Sequence, residues 1–398
     1  MIDLSPEIKA LLLENSVHRE IIIKFPNATD GEISEINSSN IIADSFELTQ
    51  SICDEKEFVI GGCIAGQLTI QVIGIEQELN NRRINVFLRQ TYGTGDLYPS
   101  DNLYPSDDLY PGMQKSSVEV QIFSGTIDSS LRQKNRAVKE IIAYDDLYKA
   151  SQLYVYNYFT AVAAYSPQIT LSGIRERIVS SFLENYDYEN EFVGFNDNQK
   201  LSLTLDLVKS VINNKTTATD LLSAYCELNA CFAYIQGNGK IKFVQLINPP
   251  SETVEYYSDL TFEEYETRPI NIIKFQYDKD KTFSYGFGTD KQSWYVSDNI
   301  ITRCCQSVSE IIRAFNDNIG HNYIFYDLYK YRPFTAYIYA QWWIEPGDKV
   351  IIKTGYNDTE TVESFVFSRT LKGINGMRST VKADGTEYLG KDEMKTNE

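Results

Sequence analysis

Residues 57–75 read EFVIGGCIAGQLTIQVIGI. From Leu68 to Val72 the side chains alternate, with Leu68, Ile70 and Val72 on one face and Thr69 and Gln71 on the other. A period of two predicts a strand with one face in a core and one in water. Glycines at 61, 62 and 66 break the start of the run, which predicts bulges or bends in a curved sheet.

The β pattern extends to both sides. REIIIKF (19–25) is a β-branched run closed by the turn NATDG (27–31), and NVFLRQTY (85–92) and SSVEVQIFSGTIDSS (116–130) read as further strands. Residues 3–15 predict a short amphipathic helix with Leu4, Ile8, Leu11 and Leu12 on one face. AVKEIIAYDDLYKAS (137–151) runs a strand into a short turn, where the first domain boundary is placed.

The middle changes period. Residues 169–185, with Thr-Leu-Ser followed by IRERIVSSFLEN, predict a helix, and a second short one is expected near 203–213. A third starts at TTATDLLSAYCELNACFA, capped by Thr217 or Thr219, with Leu221, Leu222, Tyr225 and Leu228 as its apolar stripe. It leads into two strands joined by a hairpin tip at Gln236–Gly239. Strands return at 271–277, 335–344, 348–354 and 364–373, with one helix between them at 308–320. The fold class is therefore α+β, mainly β. A β region at 1–150 and another at 251–388 flank a smaller α+β middle at 151–250, and 389–398 form a charged tail.

Composition limits the function. With 55 acidic and 37 basic residues the formal charge is -18, the wrong sign for a phosphate-gripping protein. Transient passage of DNA past an acidic wall stays compatible with it. The 28 tyrosines favour β-structure and half-wet interfaces. Six cysteines, at 53, 63, 226, 231, 304 and 305, show no CxxC spacing and read as reduced, structural thiols. Neither a secretory leader nor a membrane anchor is expected.

A catalytic constellation is hard to assemble. The two histidines, His18 and His321, lie far apart, and there is no phosphate-binding loop, GxGxxG, GxSxG or HExxH. The carboxylate groups at Asp145–Asp146, Asp187/Glu189/Glu191 and Glu263–Glu264/Glu266 read as solvated faces rather than a glycosidase pair. No catalytic residue, cofactor or metal is assigned.

Two features invite a binding role instead. Residues 96–113 read DLYPSD-NLYPSD-DLYPGM, three six-residue units. Proline holds each unit extended, so the four aspartates are strung out rather than gathered around a calcium ion. The run reads as a stiffened arm that loses little entropy on docking, with Leu97, Tyr98, Leu103, Tyr104, Leu109 and Tyr110 as its feet. The surface it docks on is either the protein's own sheet or a neighbouring subunit; the bland alternative is a solvent-exposed linker. Trp342 and Trp343 fall in a predicted strand, which would send one ring into the core and present the other outward at an interface or a sugar.

These motifs, taken in order, resemble the bacteriophage tail-hub family: the baseplate hub of contractile tails and the N-terminal hub region of the tail-associated protein of long non-contractile tails. EKEFVIGGCIAGQLTIQVI (55–73) is similar to the family's Phe-x-Ile-Gly turn and alternating strand, and 118–149 to the close of its first domain. Residues 216–246 resemble its middle-domain helix and hairpin, and 333–354 with 367–385 its closing β domain. The resemblance spans nearly the whole chain and implies two tube-like β-barrel or sandwich domains per subunit. It also implies a homotrimer whose pseudo-sixfold ring adapts a tail tube to its tip. The implied partners are a distal tail or tube protein, the tape-measure protein and a tail fibre or spike protein, with the virion tail tip as location. Many long-tail relatives continue into a large C-terminal region, whereas this chain ends at Glu398. The expectation is a structural, non-enzymatic hub. The alternatives are a carbohydrate-binding receptor module using outward tyrosines and Trp342 or Trp343, and a cell-wall hydrolase.

Overall fold

The structure is a computed structural model that describes residues 2–385 except 3, 14–17, 54–58, 93–115, 133–136, 166–167, 184–197, 199, 247–248, 255, 268–271, 287–293, 314–329, 340 and 355–359. The arm at 96–113, His321 and the charged tail thus lie outside the described residues.

The N-terminal region comprises α1 (Pro6–Leu12), β1 (His18–Lys24), β2 (Glu35–Ile36), β3 (Glu47–Ser51), β4 (Gln67–Ile73), β5 (Arg83–Tyr92), β6 (Ser116–Arg132) and β7 (Val138–Tyr144). The middle adds α2 (Asp146–Gln152), α3 (Tyr156–Tyr165), β8 (Gln168–Thr170), α4 (Leu171–Val179), β9 (Lys200–Ser202), α5 (Leu205–Val211), α6 (Ala218–Leu228), β10 (Phe232–Ile235) and β11 (Ile241–Val244). Then follow β12 (Ser251–Val254), β13 (Tyr257–Phe262), β14 (Ile272–Tyr277), β15 (Lys281–Gly286), β16 (Trp294–Ser297), α7 (Ile300–Arg303) and β17 (Phe334–Tyr339). The last strands are β18 (Lys349–Thr354), β19 (Glu360–Phe365), β20 (Ser368–Lys372) and β21 (Arg378–Ala383). The fold is mainly β, of the α+β class.

The alternation at 67–73 does what its period requires: Leu68, Ile70 and Val72 are fully buried. The glycine-broken start serves close approach as well as bending. Gly61 has φ +90°, and a Cβ there would sit 2.5 Å from the Ser223 carbonyl oxygen of α6. Only glycine lets the loop before β4 lie against that helix. The helix itself matches its sequence: Thr217 caps it in a capping box with Asp220, and Leu221, Leu222, Tyr225 and Leu228 are buried. The turn expected after β7 is instead the start of α2, because the Asp145 side chain accepts from the Leu147 N–H and caps a helix.

One sheet runs through both β regions. Its order is β13-β17-β21-β20-β3-β4-β7-β6-β5-β1-β2, eleven strands with antiparallel pairing throughout. The seam is the pair β3–β20, in register as Leu48↔Leu371, Thr49↔Thr370 and Gln50↔Arg369. Strands about 320 residues apart in sequence (|i−j| = 321 for Thr49 and Thr370) therefore share hydrogen bonds. Strand β6 pairs with β5 along its first part and with β7 along its second, meeting both at Thr126. The β10–β11 hairpin packs its tip on β6, where a Cβ on Gly237 would meet the Gln121 carbonyl oxygen at 2.4 Å.

All six cysteines are free and buried, Cys63 and Cys226 with their sulfurs 3.7 Å apart. Burial pushes the Cys226 thiol up, which keeps it protonated and unreactive.

Candidate functional site

Three polar residues interrupt otherwise apolar faces: Gln50 beside Leu48 and Ile52, Gln90 beside Val86 and Leu88, and Arg369 beside Phe367 and Leu371. All three are buried, and they converge beneath the β3–β20 seam. Arg369 Nη1 donates to the carbonyl oxygens of Trp342 at 2.9 Å and Ile344 at 2.7 Å, and Nη2 donates to Gln50 Oε1. Gln50 Nε2 in turn donates to the Ile235 carbonyl of β10, at 3.3 Å. One guanidinium and one amide thus tie the N-terminal sheet, the middle hairpin and the C-terminal region together.

The charges are matched. Burial pushes the Arg369 guanidinium down, while Glu345, the Tyr234 hydroxyl and Asp348 hold it up. Burial pushes the Glu345 carboxyl up, but the cations around it, Arg369 and Lys242 among them, outweigh that and hold it below the usual range. Tyr234 OH donates to Glu345 Oε2 at 3.3 Å. A buried charge is tolerated only with such partners.

Trp342 and Trp343 belong to this joint, which corrects the expectation of an outward ring. Strand β17 ends at Tyr339, so the pair lies in the turn before β18 and strand alternation does not apply. Both rings are buried, 1% and 0% exposed, edge to face with centroids 6.0 Å apart. Trp342 Nε1 donates to Gln90 Oε1 at 2.7 Å, which also accepts from Arg19, and Gln90 Nε2 donates to the Leu12 carbonyl at the end of α1. The tryptophans plug the joint; they offer no surface to a sugar. Gln50, Gln90 and Arg369 were missed in the sequence, although a polar residue on the apolar period was the signal that could have found them.

The remaining candidates scatter. His18 stands on β1, beside Glu20 at 3.6 Å. Among the described residues no three His, Cys, Asp or Glu side chains gather to hold a metal ion. Asp145 is buried, its carboxyl oxygens accepting from the Gly66 N–H at 2.7 Å and the Leu147 N–H at 2.9 Å. Burial pushes that carboxyl up to about 8; the two backbone donors pull it down, Asp146 adds to the rise and Arg83 opposes it. The folded value lies above the unfolded one, roughly 3.9. Stability from this group is therefore full below about pH 4 and lost as the pH rises toward about 8. The melting temperature of Asp145→Asn, whose amide does not titrate, should accordingly change less than that of the parent between pH 5 and 8. Equal slopes in thermal melts across that range would contradict the assignment.

Two surfaces stand out. Strand β13 closes one end of the sheet, paired on one side only among the described residues, and five of its six residues are exposed. Tyr256, Tyr257 and Phe262 lie there with Tyr337 and Tyr339 of β17, each between 37% and 57% exposed. A cleft of about 830 Å³ lies where the start of β5, the middle of β6, α2 and the β10–β11 tip meet. Inside it Arg83 grips Asp146 through Nη1 at 2.6 and 2.7 Å and donates from Nη2 to Ser124 Oγ at 2.9 Å.

No protein-family model matches this sequence, and no curated protein matches it. Among solved structures the chain is similar to the tail protein from Neisseria meningitidis MC58, at 10% identity and a TM-score of 0.49, covering 92% of this chain and 97% of that one. It is similar to the 43 kDa tail protein of prophage MuSo2 from Shewanella oneidensis, at 11% identity and a TM-score of 0.48, covering 91% and 97%. A third is the prophage tail protein gp18 from Listeria monocytogenes EGD-e, at 13% identity and a TM-score of 0.43, covering 92% and 94%.

Proposed function

We propose that this chain is a structural, non-enzymatic subunit of a phage tail. Three copies would form a hub ring at the distal end, between the tube and the tip, with DNA passing through. The observation that carries the reading is the β13 edge, without a partner on its outer side among the described residues, with exposed aromatic residues along β13 and β17. A six-residue edge strand exposed on both faces offers unpaired backbone groups to another chain. Tyrosine-rich, half-polar surfaces suit subunit contacts. The order of motifs resembling the tail-hub family supports the same reading, as does the placing of two β regions around one middle module. Tail-tube, tape-measure and fibre or spike proteins are the proposed neighbours, and the arm at 96–113 is proposed to dock on one of the subunits. The glycan-binding alternative keeps its exposed tyrosines but loses both tryptophans to the joint.

Negative-stain imaging of the purified chain at micromolar concentration tests this. Threefold rings with a central channel are expected. Compact single particles, unchanged when the concentration is raised tenfold, would remove the self-assembling ring.

A further inference from the structure

We propose that the cleft between β5, α2 and the β10–β11 tip receives the Leu-Tyr-Pro arm of a second copy of this chain. The proposal rests on the ring reading above and names one of its contacts.

Charge is the first argument. The chain carries -18, yet four cations, Arg82, Arg83, Lys149 and Lys240, line the cleft against two carboxylates, Glu32 and Asp146. It is a positive patch on an acidic protein. Residues 96–113 hold four aspartates and no lysine or arginine. Opposite potentials of this kind steer two surfaces together and fix their register. Phe25 and Phe182 also line the wall, but only 4% and 7% exposed and with Arg82 over the Phe25 ring, so charge carries the contact.

Position is the second argument. The arm leaves and rejoins the sheet at the pair Tyr92↔Ser116, whereas the cationic end of the cleft lies at the pair Arg83↔Thr126, nine residues further along β5. That is about 30 Å at ~3.3 Å per residue. Leu97 and Tyr98, or Leu109 and Tyr110, extend at most about 25 Å from their anchors at ~3.3–3.6 Å per residue. Within one copy only the middle unit, Leu103-Tyr104, spans the distance. On a neighbouring copy no such limit applies, and any one of the three units can engage.

Symmetry is the third argument. A closed ring of identical chains needs a head-to-tail contact, so each copy must carry two different complementary patches. An acidic arm at one end of the β5–β6 pair and a basic cleft at the other are such patches.

The test mixes two variants. A chain lacking 96–113 keeps the cleft without the arm; Lys149→Glu with Lys240→Glu keeps the arm and reverses the cleft. Circular dichroism and melting temperature establish first that both are folded. Each alone should be monomeric by mass photometry, near 45.5 kDa for the full-length variant, and the mixture should form one-to-one pairs. A fluorescent peptide of residues 96–113 should bind the arm-less chain, at least tenfold more weakly after the double reversal and more weakly in high salt. Replacing Asp107 and Asp108 by lysine in the peptide should restore binding to the reversed cleft. No pairing in the mixture, with no peptide binding at hundreds of micromolar, overturns the proposal. So does displacement of the peptide by cell-wall glycan fragments, which would make the cleft a sugar site. Rings that persist without the arm also overturn this contact while leaving the hub reading standing. Peptide binding by a parent chain that forms no rings upholds the contact and removes the ring.

Discussion

Arg369→Met should lower the folding stability by about 3–5 kcal/mol, because it leaves three buried acceptors without their donor at about 1–3 kcal/mol each. The methionine fills much of the volume but donates nothing. Glu345 loses a buried counter-cation, Gln50 Oε1 loses its donor, and the carbonyl oxygens of Trp342 and Ile344 lose theirs. Because Arg369 stands opposite Gln50 across the β3–β20 seam, the loss falls where the two β regions meet. Urea unfolding is the measurement. A second transition should appear, or proteolysis at the seam should quicken, as the regions come apart. A change below about 1 kcal/mol for Arg369→Met alone would mean that the seam is held by the strand pairing and not by this guanidinium.

Trp342→Ala is the second large effect, about 3–5 kcal/mol for emptying a packed site of this size. It also removes the N–H that Gln90 accepts and so loosens the grip of Gln90 on α1. The two tryptophans separate cavity from hydrogen bond. Trp342→Phe keeps most of the ring and loses a bond of 2.7 Å, worth about 1–3 kcal/mol with Gln90 left under-satisfied. Trp343→Phe removes a buried N–H that has no hydrogen-bond partner, so its cost should be distinctly smaller. Equal losses from the two phenylalanine variants would show that packing alone holds the joint. Because α1, the β10–β11 hairpin and the last β region all hang from the joint, the proposed assembly should weaken with it. A loosened joint would let the β13 edge and the cleft shift relative to one another.

Local pattern accounts for what could be read without coordinates. Alternation at 67–73, the β-branched run at 18–24 and the capped stripe of α6 each need only the chain's own neighbours, three or four residues away at most. The β, α+β, β layout follows from adding such segments together. The short strands β2, β8 and β9 and the helix α3 were not legible, since two or three residues, or a weakly amphipathic stretch, carry no period.

Long-range pairing decided the rest. The alternation at 67–73 predicts a strand but names no partner, so nothing local says that β3 meets β20 across about 320 intervening residues. The tryptophans show the same limit: a run of β-favouring residues, YIYAQWWI, continues the pattern past the point where burial and Arg369 turn the backbone into the joint. The polar interruptions at Gln50, Gln90 and Arg369 were visible as exceptions to an apolar period. Their meaning depended on three distant segments arriving at one place. Local chemistry set the longer elements, the class and the acidic, tyrosine-rich composition. The single sheet, the buried joint, the open edge and the basic cleft arose only on folding, because each is a property of contacts between residues that local chemistry does not couple.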